Sequence, residues 1–361
     1  MATGSNIDRL REQTGAKWEA LAHADSEAIS ARFRILELLT EAFDGADLPP
    51  DTDIVVFGSL ARGEFTSGSD VDWTLLVDGP AKPLHRKTAH QIATVLKDGG
   101  FGEPGTTGTF GNLAFSHETI HHIGGQRDTN ENLTQRILLL LESKKLRGKA
   151  ERSAYDRVVR EVIDRYLTDE FGPASNDFKR HFVPRFLFND IARFWRTMCV
   201  DFACKEWEQQ GKKWGLRNVK LRMSRKLIFV AGMLTCFSCR GVLETVDVPG
   251  DTDRRKRLLT DHLFNCAHKS PLEILCEAFI TYGSSPTRVR EILDPYNEFV
   301  GLLDDPEVRS SIESIIPGHA ADDPHFARID LLSREFQEFL SAFFFDDNPE
   351  LCELTKKYGV F

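Results

Sequence analysis

The chain has 361 residues, of which 41% are hydrophobic and 28% charged, and its formal net charge is −9. Such a length supports a substantial core shared between two units, and an aromatic content of 10% excludes wholesale disorder. The negative balance excludes attachment to a polyanion over the whole surface, so any phosphate or nucleic-acid site has to be local.

No apolar run reaches the roughly 18 residues of a membrane span, and the opening MATGSNIDRLREQTG lacks the basic-then-apolar order of a secretory signal. Seven cysteines, an odd number without the spacing of a disulfide scaffold, read as reduced thiols. A cytoplasmic location follows as the expectation.

Taken in chain order, residues 5–23 and 26–43 read as amphipathic helices, the second through Ile29, Phe33, Leu36, Leu39 and Phe43 at helical spacing. LPPDT breaks this pattern and leads into IVVF, a short apolar run suited to a buried strand that ends at Gly58. Residues 71–77 predict a second strand, 84–96 a helix, 109–116 a third strand and 132–145 a Leu-rich helix. From 154 to 361 the chain reads as helix after helix, and Ser285-Pro286 and Asp305-Pro306 each place a cap residue ahead of proline at a helix start. The fold class is α+β: an N-terminal α/β domain with a small mixed sheet over 1–150, then an all-α domain over 151–361.

The segment FGSLARGEFTSGSDVDW, residues 57–73, carries the chemistry. Residues i and i+2 of a strand point to one side, so Asp70 and Asp72 present two carboxylates together while Val71 faces the core. Two carboxylates about 5 Å apart repel by roughly 3 kcal/mol at an effective dielectric near 20, so the pair calls for protonation, a basic partner or a divalent cation. Hard oxygen ligands favour Mg2+ or Mn2+. Gly58 lets the backbone approach phosphate oxygens, and the Ser59 hydroxyl adds a donor.

This segment resembles the DNA polymerase β superfamily of nucleotidyltransferases, whose signature is a Gly-Ser turn followed after a short interval by Asp-x-Asp. Gly58, Ser59, Asp70 and Asp72 match it in order and spacing. The resemblance covers about residues 26–145. Within the superfamily, LTQRILLLLES at 133–143 is most similar to the uridylyltransferase and adenylyltransferase branch that modifies signalling proteins. A nucleotidyltransferase domain over 1–150 and a helical domain for nucleotide phosphates and acceptor over 151–361 are what the resemblance implies. So are catalysis with Mg2+ or Mn2+, a nucleoside triphosphate such as ATP as donor, and a hydroxyl acceptor on a protein, a nucleic acid or another nucleotide. The superfamily usually adds a third carboxylate on a later strand. Asp128 is the first candidate and Glu118 the second, although Asp128 also suits a cap of the following helix. His117, His121 and His122 read as structural or substrate-facing.

In the helical half, Arg185, Asn189, Arg193 and Arg196 share one face of a helix. The stretch from 205 to 226 holds eight Lys/Arg against two Glu. By the resemblance a helical domain supplies a cation to the departing phosphates, which points to Lys220 with Arg217 and Ser224 as helpers. Cys236 and Cys239, with His262 and Cys266, invite a zinc reading, but their apolar helical setting suits small hydrophobes. Two other functions stay open: synthesis of oligonucleotides or a nucleotide second messenger, as in bacterial defence, and a non-catalytic scaffold, against which intact Asp70 and Asp72 argue.

Overall fold

The computed structural model describes residues 5–43, 48–104, 110–147, 153–170, 182–208, 210–244 and 251–360. In order, the first half forms α1 (Asn6–Thr14), α2 (Glu19–Ala42), β1 (Thr52–Phe57), α3 (Gly58–Arg62), β2 (Trp73–Val77), α4 (Pro83–Asp98), β3 (Asn112–Phe115), α5 (Ser116–His121), α6 (Asn130–Leu141), β4 (Ser143–Arg147) and α7 (Ala154–Glu170). Then follow α8 (Arg185–Glu208), α9 (Trp214–Arg222), α10 (Ser224–Glu244), α11 (Thr252–Ala267), α12 (Pro271–Thr281), α13 (Pro286–Asp304), α14 (Pro306–Ser314), α15 (Pro324–Ala342) and α16 (Pro349–Leu354). Two compact units result. The sheet unit comprises Asp25–Asp190 and Ser238–Ser270, and the helical unit Met1–Ala24, Ile191–Phe237 and Pro271–Phe361. The α+β class expected from the sequence holds.

In the sheet unit the strand order is β3-β2-β1-β4, with β1 antiparallel to both β2 and β4 and β3 parallel to β2. Every residue of β1 and β2 is buried, as their unbroken apolar runs require of central strands. One sheet face carries Ile54, Val56, Val71, Trp73 and Leu75, joined by Leu113, and packs on Ile35 and Leu39 of α2 and on Ala89, Ile92 and Leu96 of α4. Because side chains alternate along a strand, the opposite face carries Asp53, Val55 and Phe57 of β1, Asp72, Thr74 and Leu76 along β2, and Asn112 and Ala114 of β3. Helix α7 lies against β1 and β2.

Asp53, an acid within a fully buried strand, has its reason in α7. Its Oδ2 accepts from the Ser153 hydroxyl and from the Tyr155 N–H, each at 2.8 Å, so it serves as the anion at the start of that helix. Burial raises its pKa above the ordinary carboxylate value, against the pull of those two donors.

Three expectations shift. Gly15, at φ 69°, ends α1 in the left-handed conformation, so α2 begins at Glu19 and continues through the expected break near His23. The buried residues of α2 include Ala28, Ile35 and Leu39, whereas Ile29 and Phe33 are 41% and 64% exposed, so the stripe expected from spacing is rotated around the helix. The segment expected to be helical to Lys145 stops at Leu141, and SKKLR forms β4. Gly172-Pro173 and Pro249-Gly250, where the turn-forming residues of the sequence predict further helix breaks, lie outside the described residues.

In the helical unit, four successive helices begin on a cap residue followed by proline: Ser285-Pro286, Asp305-Pro306, Asp323-Pro324 and Asn348-Pro349. In each the cap side chain accepts from backbone N–H groups of the first turn, which proline at the first position leaves undisturbed. The stretch Trp214–Leu243 is long and apolar enough to cross a membrane by length and composition, although no single apolar run in the sequence is; 67% of its most apolar window is buried inside the protein, the setting of a core helix. Gly215 sits where α9 meets α14, and a β-carbon there would lie 2.4 Å from the Ile312 carbonyl oxygen. Gly215→Ala therefore has to push α14 away, at about 1–3 kcal/mol, and calorimetry should show a lower Tm than wild type.

Candidate active site

The antiparallel pairing of β1 and β2 brings the Gly-Ser turn and the acidic triplet together. The Phe57 N–H donates to the Asp72 carbonyl at 2.9 Å, continuing the ladder past Trp73, so Gly58 emerges beside Asp72. Gly58 has φ +66°, and an ideal β-carbon on it would lie 2.9 Å from Asp72 Oδ2. Only glycine meets both demands, left-handed backbone and contact with the carboxylate. Asp70 has a comparable neighbour. It bridges to Gly102, the Val71 N–H donates to the Gly102 carbonyl at 3.1 Å, and a β-carbon on Gly102 would lie 3.0 Å from Asp70 Oδ1. Val71 is 1% exposed in the core, which fixes Asp70 and Asp72 on the opposite side of the strand, with Asp70 exposed and Asp72 half-buried.

The connection between the two motifs is tightly tied. Ser59 is the second residue of α3, and its carbonyl accepts from the Gly63 and Glu64 N–H groups. Arg62 donates to Glu64 at 2.9 Å and to Glu142 at the end of α6. These three side chains are nearly buried, so each charge depends on the others. Arg32 of α2 donates to the Leu60 carbonyl at 2.6 Å, holding the last turn of α3. Thr66 and Ser69 close the turn before Asp70 with their hydroxyls 3.0 Å apart. Arg32, Glu64 and Glu142 carry no functional signal in the sequence pattern alone. For Glu64, the one local sign is the short Arg62-Gly63-Glu64 turn.

Asp128 is engaged by a buried guanidinium. Both its oxygens accept from Arg136, at 3.1 and 2.9 Å, and the Gly124 N–H donates to it at 3.2 Å. Arg136 is fully buried and donates further to Tyr166 and Asp190. Thr129, not Asp128, caps α6. Among the described residues no group of three or more His, Cys, Asp or Glu is placed to hold a metal ion, so neither Asp128 nor Glu118 joins the Asp70–Asp72 pair. The His117 ring packs tilted against His121 and edge-on against His122, at ring separations of 5.0 and 5.5 Å. His262 lies 2.7 Å from the Ser238 hydroxyl and 3.7 Å from the Cys266 sulfur, and all seven cysteines are free thiols.

In the helical unit, Val219, Met223, Leu227, Val230 and Leu234 are buried as the spacing requires. Met223, at φ −113° and ψ −87°, ends α9, so Lys220 and Ser224 belong to different helices and Ser224 is buried at the start of α10. Arg217, Lys220, Arg222, Arg225 and Lys226 are all half-buried. Burial, and next to it the charge of Arg222, brings the Lys226 ammonium down to about 8, opposed by Cys199. Burial and Arg225 lower Lys205 likewise. Arg222 pairs with Asp330. In α8, Leu187, Ile191 and Phe194 are buried while Arg185, Asn189 and Arg196 are exposed and Arg193 is half-buried.

Two adjacent carboxylates, each held against a glycine, form an all-oxygen donor set that fits a hard divalent cation. A mixed sheet carrying such a pair beside a left-handed Gly-Ser turn has the make-up of a nucleotidyltransferase core. Residues 39–100 match the family model of the nucleotidyltransferase domain, and this part of the chain is a nucleotidyltransferase domain of the DNA polymerase β superfamily. The protein is accordingly a transferase acting on a nucleotide. No curated protein matches the sequence.

Two sets of variants test this geometry. Gly58→Ala should lose transfer activity because the added carbon displaces Asp72 and strains a left-handed backbone by about 1 kcal/mol or more, whereas Asp72→Asn should lose activity with an unchanged Tm. Comparing turnover with Tm separates the two. Asp128→Asn should remove much of the buried ion pair, lowering stability by about 3 kcal/mol in urea titration while leaving turnover per folded molecule near wild type. Abolished turnover in a folded Asp128→Asn protein would return Asp128 to the reaction.

Proposed function

We propose that the protein transfers a nucleoside monophosphate from a nucleoside triphosphate, ATP first among them, to a hydroxyl acceptor and releases pyrophosphate. The observation that carries this reading is the seating of the Asp72 carboxylate against Gly58, which joins a phosphate-approachable backbone to a cation-binding oxygen. Asp70 and Asp72 are the residues that would hold Mg2+ or Mn2+, which when bound neutralises charge on the phosphates. In the transfer, the acceptor oxygen bonds to the α-phosphorus as the bond to pyrophosphate breaks. The pyrophosphate keeps the electron pair and the hydroxyl proton passes to water. Gly58 and Ser59 contact phosphate oxygens, and residues 1–150 are the catalytic region.

Residues 151–361 supply the phosphate and acceptor contacts in this proposal. Lys220 and Arg217 are the first cations, and the clustering of Lys205, Arg225 and Lys226 supports an anionic ligand there, because like charges brought half out of water are costly alone. Ser224, being buried, serves by its place at the start of α10. The likeness of 133–143 to the protein-modifying branch makes a protein side-chain hydroxyl the first acceptor to test, in the cytoplasm. The test is incubation with each labelled triphosphate and Mg2+ or Mn2+, with and without lysate protein, followed by mass analysis. A product heavier by one nucleoside monophosphate, absent with Asp72→Asn, is expected, and no transfer from any triphosphate under either cation would defeat the reading.

A pH test addresses the cations separately. Lys226 is charged below about 8 and neutral above it, so triphosphate affinity should fall as pH rises across roughly 7 to 9. Lys226→Met should be weaker at the acid end and lack most of that slope in isothermal titration. An unaltered slope in the variant would remove Lys226 from the ligand's surroundings.

A further inference from the structure

In the helical unit a cavity of about 580 Å3 lies along α13 and α15, a size that holds a small ligand. Pro286, Pro295 and Phe339 give it apolar walls. Its charged lining is Arg290, Glu291, Asp294 and Glu335, so acids outnumber bases. Most of that charge is matched. Arg290 donates to Asp294 at 3.0 Å, Asp294 also accepts from the Trp18 indole N–H at 2.8 Å, and Glu291 accepts from Arg288 at 2.6 Å. Glu335 differs: it is half-buried, and among the described residues it makes no hydrogen bond or salt bridge. Arg328, two turns before it on α15, is held by both oxygens of Glu298, each at 2.6 Å.

Pro295 adds an acceptor. It stands inside α13 and, lacking an N–H, leaves the Glu291 carbonyl without the helical donor four residues on. Glu291 and Pro295 both line the cavity, so the interrupted turn forms part of its wall. The Phe339 ring already takes one cation, the Arg288 guanidinium 5.6 Å from its centre. From the unpaired carboxylate, the carbonyl without a donor and the apolar walls, we infer that this cavity binds the ammonium group of a small alkylamine. The ammonium N–H groups meet Glu335 and the Glu291 carbonyl, and the hydrocarbon stem lies on Phe339 and the two prolines. An anion would meet the acids instead, and a neutral hydrocarbon would leave Glu335 unpaired. A free diamine and a lysine side chain of another protein both offer this chemistry.

The test is isothermal titration of the full chain with putrescine and, in a second arm, with Nα-acetyl-lysine methylamide. It is run on wild type, Glu335→Gln, Pro295→Ala and Glu338→Gln, each first checked for native circular dichroism. Glu338 is an exposed acid on the same helix that does not line the cavity. Glu335→Gln should weaken the amine by about tenfold, Pro295→Ala, which gives the Glu291 carbonyl its donor back, by roughly threefold, and Glu338→Gln not at all. Tighter binding of putrescine makes the ligand a free amine, and tighter binding of the lysine derivative makes it a protein side chain. Wild-type affinity in Pro295→Ala alone overturns the part of the carbonyl. No binding of either amine, wild-type affinity in Glu335→Gln, or an equal loss in Glu338→Gln overturns the site.

Discussion

The site depends on backbone being allowed where side chains are forbidden. Asp70 and Asp72 repel each other, and a strand face alone does not hold such a pair still. Here each carboxylate is set against a glycine, Asp72 against Gly58, where a β-carbon would collide, and Asp70 against Gly102, where one would crowd it. The pairing of β1 with β2 supplies the first contact and the bridge to Gly102 the second. The left-handed φ of Gly58 is then part of the same arrangement: it turns the chain out of β1 into α3 at the point where Asp72 arrives.

Around that centre the sheet unit uses buried charge to hold elements together. Arg62 joins the turn after the Gly-Ser motif to Glu142 at the end of α6, Asp53 ties β1 to the start of α7, and Arg136 joins Asp128 to Asp190. A buried pair of this kind contributes little over a well-packed apolar substitute, but breaking it leaves an uncompensated charge at about 3–5 kcal/mol. The three networks therefore penalise alternative packings more than they stabilise the native one. Asp128 shows why an acid near a motif is not by itself a ligand: its oxygens are spent on a guanidinium.

How much of this the sequence discloses depends on how local each feature is. The strand, turn and acid triplet of residues 57–73 are legible because alternation, glycine geometry and spacing act within a few residues. Cap–proline starts such as Ser285-Pro286 are legible for the same reason. β4 is not, because SKKLR has no alternation and a single apolar residue, Leu146, and becomes a strand only by pairing with the buried β1; lysines on an edge strand also guard against pairing with other chains. The stripe of α2 is misplaced because Ala28 contributes to burial by being small, a property that a search for large apolar residues overlooks. Glu142 gains meaning only when elements distant in sequence become neighbours.

The stretch from 205 to 226 is a local basic patch in a chain whose net charge is −9. A continuous helix through 214–244 would fan Arg217, Lys220, Arg222, Arg225 and Lys226 around its circumference, where water would screen each alone. The break at Met223 replaces that arrangement by two helices, and the cations of both become half-buried, with lysine charge weakened by burial and by neighbouring arginines. A fold that only needed solubility would leave those ammonium groups in water. Holding them partly dry, at a stated loss of basicity, is favourable when an anion shares the space, since charge-assisted hydrogen bonds are worth more where the dielectric is low.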